Sequence, residues 1–197
     1  MKSRVEVFLT FIMTDELFIN GINVTQLTGA MDQIRERPEI AKFSFRATNT
    51  WVEGTHCQGI VQHFYGALTE DTGRSPRTYD MDEPPVLMGH NNGPHPVEFL
   101  LVALSGCLTT TLVAYASAKG LNLKGVQSWY EGDIDLRGFF GISDEVRAGF
   151  QRIRIGFKID ADISDEQKQE LVLLAQQHSP VFNTISRLSP VSVHLER

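Results

Sequence analysis

Only two of the 197 residues are cysteine, Cys57 and Cys107. So few exclude a disulfide framework and point to a reducing compartment. Positive charge is scarce as well: 18 Lys and Arg stand against 24 Asp and Glu, a net charge of −6. That balance offers no footprint for nucleic acid and none for an anionic membrane surface. No apolar run reaches the ~20 residues that a membrane span needs. At the amino terminus Lys2 and Arg4 precede an apolar run over residues 7–13, but Glu6 and Asp15 interrupt it. No small-residue cleavage site follows, so the segment is not read as a signal peptide. A Gly-rich phosphate loop and a dinucleotide fingerprint are missing, and no cofactor is expected. The reading is a soluble, cytoplasmic protein.

What the chain does hold is apolar mass for one core, with 42% hydrophobic and 21% charged residues. Residues 24–36 pattern as a surface helix ended near Pro38. Residues 42–52 and 59–66 alternate as half-buried strands around the glycine-bounded turn 53–59. Residues 71–85 are polar and proline-punctuated, hence a loop, and Asn91-Asn92-Gly93 is a turn. A central helix runs from Pro96 to about Lys119, with Gly120 placed to end it. Strands follow at 126–136 and 151–160 around a long hairpin loop, 138–149. Ser164 and Gln167 make the capping box of a second helix reaching about Gln177. Pro180 interrupts that helix, a shorter one continues to Leu188, and residues 191–195 form a closing strand. This order of strands, helix, strands, helix and strand is that of an α+β fold.

Cys107 sits well inside the apolar run 99–118, where a thiol is either inert packing or a protected reactive group. Leu100, Ala103, Leu104, Thr110, Thr111 and Ala114 share its face of the helix, and the two threonines are placed to donate to its sulfur. The helix starts with His95 at the N-cap, Pro96 at the first position and Glu98 at the third, the acidic slot of a capping box.

The pattern Gly93-Pro94-x-Pro96-x-Glu98-x-Leu100-Leu101-x-Ala103-Leu104-x-Gly106-Cys107, with strands before it and strand–strand–helix after it, resembles the OsmC/Ohr family. These are osmotically induced and organic-hydroperoxide resistance proteins, and the likeness is to a less characterised OsmC-like branch over residues 43–197. It implies strands wrapped around a central buried helix in an intertwined homodimer. It divides the chain into an N-terminal extension with a surface helix, 1–41, and an OsmC-like domain, 42–197. It also implies a thiol peroxidase in which Cys107 attacks the peroxide O–O bond, becomes a sulfenic acid and is resolved by a second cysteine.

Against that pattern the chain has three substitutions. Ser179 stands where the resolving cysteine is expected. Cys57 falls about where an arginine would pair with the thiolate, next to His56. Val97 takes the place of the helical glutamate, and Glu98 points to the opposite side of the helix from Cys107.

The resemblance therefore makes Cys107 the nucleophile, with Cys57, His56 and Glu98 as the other site candidates. Cys57 is a substitute resolving residue or a small buried hydrophobe, and His56 a source of positive charge. Arg46, Arg74 and Arg77 are candidate replacements for the arginine or ordinary surface charges. An external thiol is the reductant, and an organic hydroperoxide or another small apolar ligand the partner molecule. The rival reading is a non-catalytic protein that binds such a ligand or senses oxidants. His90 and His95 with Cys57 match no zinc spacing, so no metal is expected. A hydrolase pairing Cys107 with His95 or His56 has no further support.

Overall fold

The computed structural model describes residues 16–187 and 189–196, and the leader-like segment discussed above lies outside them. A central helix, α2 (Pro96–Ala118), organises these residues; α1 (Val24–Glu36) precedes it. Leu104, Leu108, Leu112 and Ala116 recur at every fourth position of α2 and are 0–2% exposed. That spacing puts them in one line along the helix. The line packs on Leu171 and Ala175 of α4 (Asp165–His178), and Val181, Phe182 and Ile185 of α5 (Pro180–Ser186) join it. An antiparallel hairpin, β7 (Gly125–Asp133) and β8 (Arg152–Asp160), covers the same core with Tyr130, Ile153, Ile155 and Phe157. The short α3 (Leu136–Phe139) lies in its long connection, where the sequence reads strand to 136 and loop over 138–149.

A second sheet precedes α2. Its middle strand is β4 (His56–Gly66), paired with β3 (Ser44–Glu53), β5 (Thr69–Asp71) and β6 (Arg77–Met81), all antiparallel. β6 corrects the loop expected at 71–85. A five-residue strand between Pro76 and Pro84 is too short to show a period-2 pattern, and its ladder with β4 makes it a strand. β3 is exposed along its whole length, with Phe45 at 73% and Trp51 at 69%. The sheet touches α2 where Tyr79 meets Phe99 edge-on, ring centroids 5.9 Å apart.

The N-terminal hairpin of β1 (Phe18–Ile19) and β2 (Ile22–Asn23) turns at Asn20 and closes the far end of α2. Asn20 Nδ2 donates to Ser117 Oγ (3.0 Å) and Leu121 O (2.9 Å), and its Oδ1 accepts from Leu123 N at 2.8 Å. Gly120, at φ +73°, ends the helix in the left-handed conformation that glycine adopts without strain.

Two expectations need correction. Residues 191–195 pair with nothing among the described residues, and Val191, Val193 and Leu195 are 85–93% exposed. An alternating pattern supplies the faces of a strand, but the strand itself exists only where a neighbour's N–H and C=O groups complete its ladder. The absence of a run fit to cross a membrane also fails, because α2 has 23 residues and an 18-residue stretch of it reaches a mean hydropathy of 1.9. Its one charge, Glu98, lies in the first turn and leaves the rest uncharged. In this fold its leucine line forms a protein core.

Shortening Leu112, fully buried between α2 and α4, leaves a cavity that the rigid helix pair cannot close. Leu112→Ala is expected to cost about 2–5 kcal/mol in equilibrium urea unfolding.

Candidate active site

The approach to α2 is held by one carboxylate. Asp82, 1% exposed, follows β6 and accepts five hydrogen bonds. Thr55 Oγ1 donates from the β3–β4 turn at 2.6 Å, and the backbone N–H groups of Glu83, His90 and Asn92 donate at 2.8, 3.1 and 3.1 Å. Asn92 Nδ2 adds the fifth at 2.9 Å. The Thr55 hydroxyl above all, with the Asn92, His90 and Glu83 amides, holds the Asp82 carboxyl well below the usual carboxylate range. Loop 82–95 is thereby folded on itself and back onto β6, so closely that a Cβ at Gly89 would lie 1.9 Å from Glu83 O, and one at Gly93 2.2 Å from Asp80 O. Only glycine fits either place.

The loop delivers His95 to the start of α2. His95 Nδ1 accepts from Val97 N at 3.0 Å, and Glu98 Oε2 accepts from His95 N at 2.9 Å. Glu98 thus caps the helix. His95 Nε2 stands 2.7 Å from Glu83 Oε2, close but out of line for a hydrogen bond.

Cys107 lies three turns into α2, half-buried and free. Seven residues separate it from Leu100, so it continues the Leu100 edge of the helix two turns further on. The threonine hydroxyls expected at its sulfur bond to backbone carbonyls instead. Thr110 Oγ1 donates to Gly106 O (2.9 Å) and Cys107 O (3.2 Å), and Thr111 Oγ1 to Cys107 O at 2.7 Å. Such back-bonding satisfies a hydroxyl inside a helix without leaving the rotamer that the helix allows.

Cys57 is also free and half-buried, in β4 opposite Trp51 of β3 and Met81 of β6. Cross-strand partners share a face, so Cys57 sides with Met81 and Tyr79. That face meets α2 through Phe99, eight residues or about 12 Å of helix before Cys107. His56 takes the other face of β4, where Nε2 lies 2.9 Å from Asp80 Oδ1. This bond, with one from the Gln58 amide, holds the Asp80 carboxyl below its ordinary value. His56 and Cys57 therefore do not converge. Arg46 pairs with Glu70, Arg74 lies 5.4 Å over the Phe64 ring, and Arg77 sits on exposed β6.

Ser179 is fully buried between α4 and α5, and its Oγ accepts from Phe182 N at 3.2 Å as the N-cap of α5. Its neighbour His178 stacks on Tyr115 at 4.9 Å, while Phe182 and Ile185 stand by Leu100 and Leu104. Ser179 thus sits where the chain passes from Tyr115 of α2 toward the Leu100–Leu104 stretch of that helix. Next to this stretch a cleft of about 450 Å³ opens between α2, β8 and α5. Val97, Leu100 and Leu104 form one wall, Ile153, Ile155, Phe182 and Ile185 the other, and residues 147–152 the mouth. The cleft and its arginines are invisible in the sequence, because the long β7–β8 connection carries no pattern that assigns it to α2.

The family model of OsmC-like proteins matches residues 89–194, from the glycine loop through Cys107 to the C-terminal segment. This chain belongs to the OsmC-like family. Solved structures agree in fold. An OsmC-like protein from Mycoplasma pneumoniae is similar at 17% identity and a TM-score of 0.56, over 73% of this chain and 87% of that one. An organic hydroperoxide resistance protein OsmC from Legionella pneumophila is similar at 17% identity and a TM-score of 0.51, over 72% and 88%. An OsmC-like protein of unknown function from Vibrio cholerae O1 is similar at 14% identity and a TM-score of 0.51, over 72% and 92%. No curated protein matches this OsmC-like chain in sequence.

The bonds to Asp82 make a testable pH dependence. A carboxyl depressed in the folded state adds stability above its unfolded pKa of about 3.9, and that stability is lost as pH falls toward the folded value. Asp82→Asn is expected to lower the thermal midpoint by on the order of 10 °C at pH 7. The gap to wild type is expected to narrow steadily below about pH 4, as followed by circular dichroism melts.

Proposed function

We propose that this OsmC-like protein is a thiol-dependent peroxidase for organic hydroperoxides, with Cys107 as its nucleophile. The observation that carries the reading is the place of Cys107: a free, half-buried thiol on the central helix of this family's fold, on the helix edge that continues the wall of an apolar cleft. The similar structure from Legionella pneumophila is an organic hydroperoxide resistance protein.

The chemistry follows from the thiolate. Its sulfur attacks one peroxide oxygen, an S–O bond forms and the O–O bond breaks, and the alkoxide leaves to take up a proton as the alcohol. Cys107 is left as sulfenic acid, oxidised by two electrons. An external thiol then displaces water to give a mixed disulfide. A second thiol releases Cys107 and carries off the oxidising equivalents as a disulfide. Ser179 cannot resolve the sulfenic acid, and as the buried N-cap of α5 it has a structural task. Cys57 belongs to a face that touches the first turn of α2, which favours the external thiol over an internal disulfide.

A second copy of the chain completes this reading. β3 exposes Phe45 and Trp51, Val102 of α2 is 63% exposed, and residues 191–195 alternate without a ladder partner among the described residues. All three features suit an intertwined homodimer, in a soluble, cytoplasmic protein whose residues 1–41 form an extension on an OsmC-like domain of 42–197. The alternative, a non-catalytic protein that binds a small apolar ligand or senses oxidants, is favoured by one observation: the residues lining the cleft do not include Cys107.

Intact-mass measurement after one equivalent of cumene hydroperoxide, with a sulfenic-acid trap, separates these readings. One trapped adduct is expected on wild type and on Cys57→Ser, and none on Cys107→Ser. Loss of two protons requiring both cysteines would make Cys57 the resolving residue. No oxidation of wild type would leave the binding protein.

A further inference from the structure

The cleft beside α2 is apolar along its walls, but its mouth is not neutral. Arg147 borders it, and the guanidinium lies over Gly149, with one nitrogen 3.4 Å from where a Cβ would stand on that glycine. The backbone of Arg147 is pinned from two sides. Gln151 Nε2 donates to Arg147 O at 2.8 Å and to Gly149 O at 3.0 Å. Gly138, at the other end of the connection, approaches so closely that a Cβ there would lie 2.5 Å from Arg147 O.

Among the described residues Arg35, Arg37, Arg46, Arg137 and Arg154 are each held by a carboxylate, and Arg147 is not. Arg152 also borders the cleft, and the Asp133 carboxylate across the ladder from it is taken by Arg154. Among the described residues no acidic one lines the cleft. An apolar trough of this size, bordered by an exposed guanidinium that no described carboxylate pairs with, is complementary to a hydrocarbon chain with an anionic head.

We propose that the cleft binds single-chain amphiphiles carrying a carboxylate head, with Arg147 holding the head and Leu100, Leu104, Ile153 and Ile185 holding the chain. The proposal rests on the cleft alone and not on the reactivity of Cys107. Arg147 acts as a specificity-determining residue, because a neutral head of equal chain length buries the same apolar area and forgoes the charge-assisted hydrogen bonds.

Calorimetric titration of the full chain with decanoate, 1-decanol and decyltrimethylammonium, all below their aggregation concentrations, tests this. Decanoate is expected to bind one per chain and more tightly than the other two. Arg147→Gln is expected to weaken decanoate about tenfold to hundredfold and leave decanol unchanged, with Arg147→Lys between. Arg147 is exposed in a loop, so these variants keep the fold, as circular dichroism will verify. Ile185→Trp, which fills the trough, is expected to abolish binding of both decanoate and decanol, and Cys107→Ser to leave both intact. Equal affinity for the three heads, an Arg147→Gln variant that binds decanoate as wild type does, or no binding of decanoate at all would each overturn the proposal.

Discussion

Everything in this molecule is referred to the line of Leu104, Leu108, Leu112 and Ala116 on α2. Those four side chains are almost completely closed off against Leu171 and Ala175 of α4. Burying them sets the rotation of α2, and the rotation of α2 decides which face carries Cys107. The thiol lies next to the buried line and not in it, half-accessible where the leucines are sealed. A rotation of one residue position, about 100°, would bury the sulfur or turn it away from the cleft edge. Each end of the helix is tied separately. Asp82 and the His95–Glu98 cap hold the start, and the Asn20 bonds hold the end.

Much of this was legible in the sequence. The bounds of α1, the His95-Pro96-x-Glu98 start of α2, the Gly120 stop and the Ser164–Gln167 cap all follow from local rules that act within a turn of helix. The family resemblance carried by residues 93–107 likewise depends on adjacent residues. What could not be read is what depends on distant pairing. β6 is a strand because β4 accepts it, and residues 191–195 are not one because no described edge does. Asp82 looks like one acid in an acidic loop until Thr55, 27 positions away, and Asn92 close around it.

The site divides in the same way. Cys107 and the capping role of Glu98 lie on a single helix, so periodicity reaches both. The relation of Cys57 and His56 could not be read, because the sequence puts both in a turn at 53–59; in β4 they are strand neighbours and point apart, His56 to Asp80 and Cys57 to the side of Met81. Arg147 was out of reach, since its place at the cleft depends on how a patternless connection folds against Gly138 and Gln151. The three departures from the peroxidase pattern have a shared physical sense. Ser179 caps a helix, Glu98 caps another, and Cys57 stands in the β4 ladder opposite Met81.

Repeated turnover is the direct test of the central claim that Cys107 performs catalysis. The disappearance of excess cumene hydroperoxide would be followed in the presence of a small dithiol, for wild type, Cys57→Ser and Cys107→Ser, against the dithiol alone. The account predicts many equivalents consumed per chain by the first two proteins, and the background rate for Cys107→Ser. Consumption that stops at one equivalent, or that survives the loss of Cys107, would contradict it.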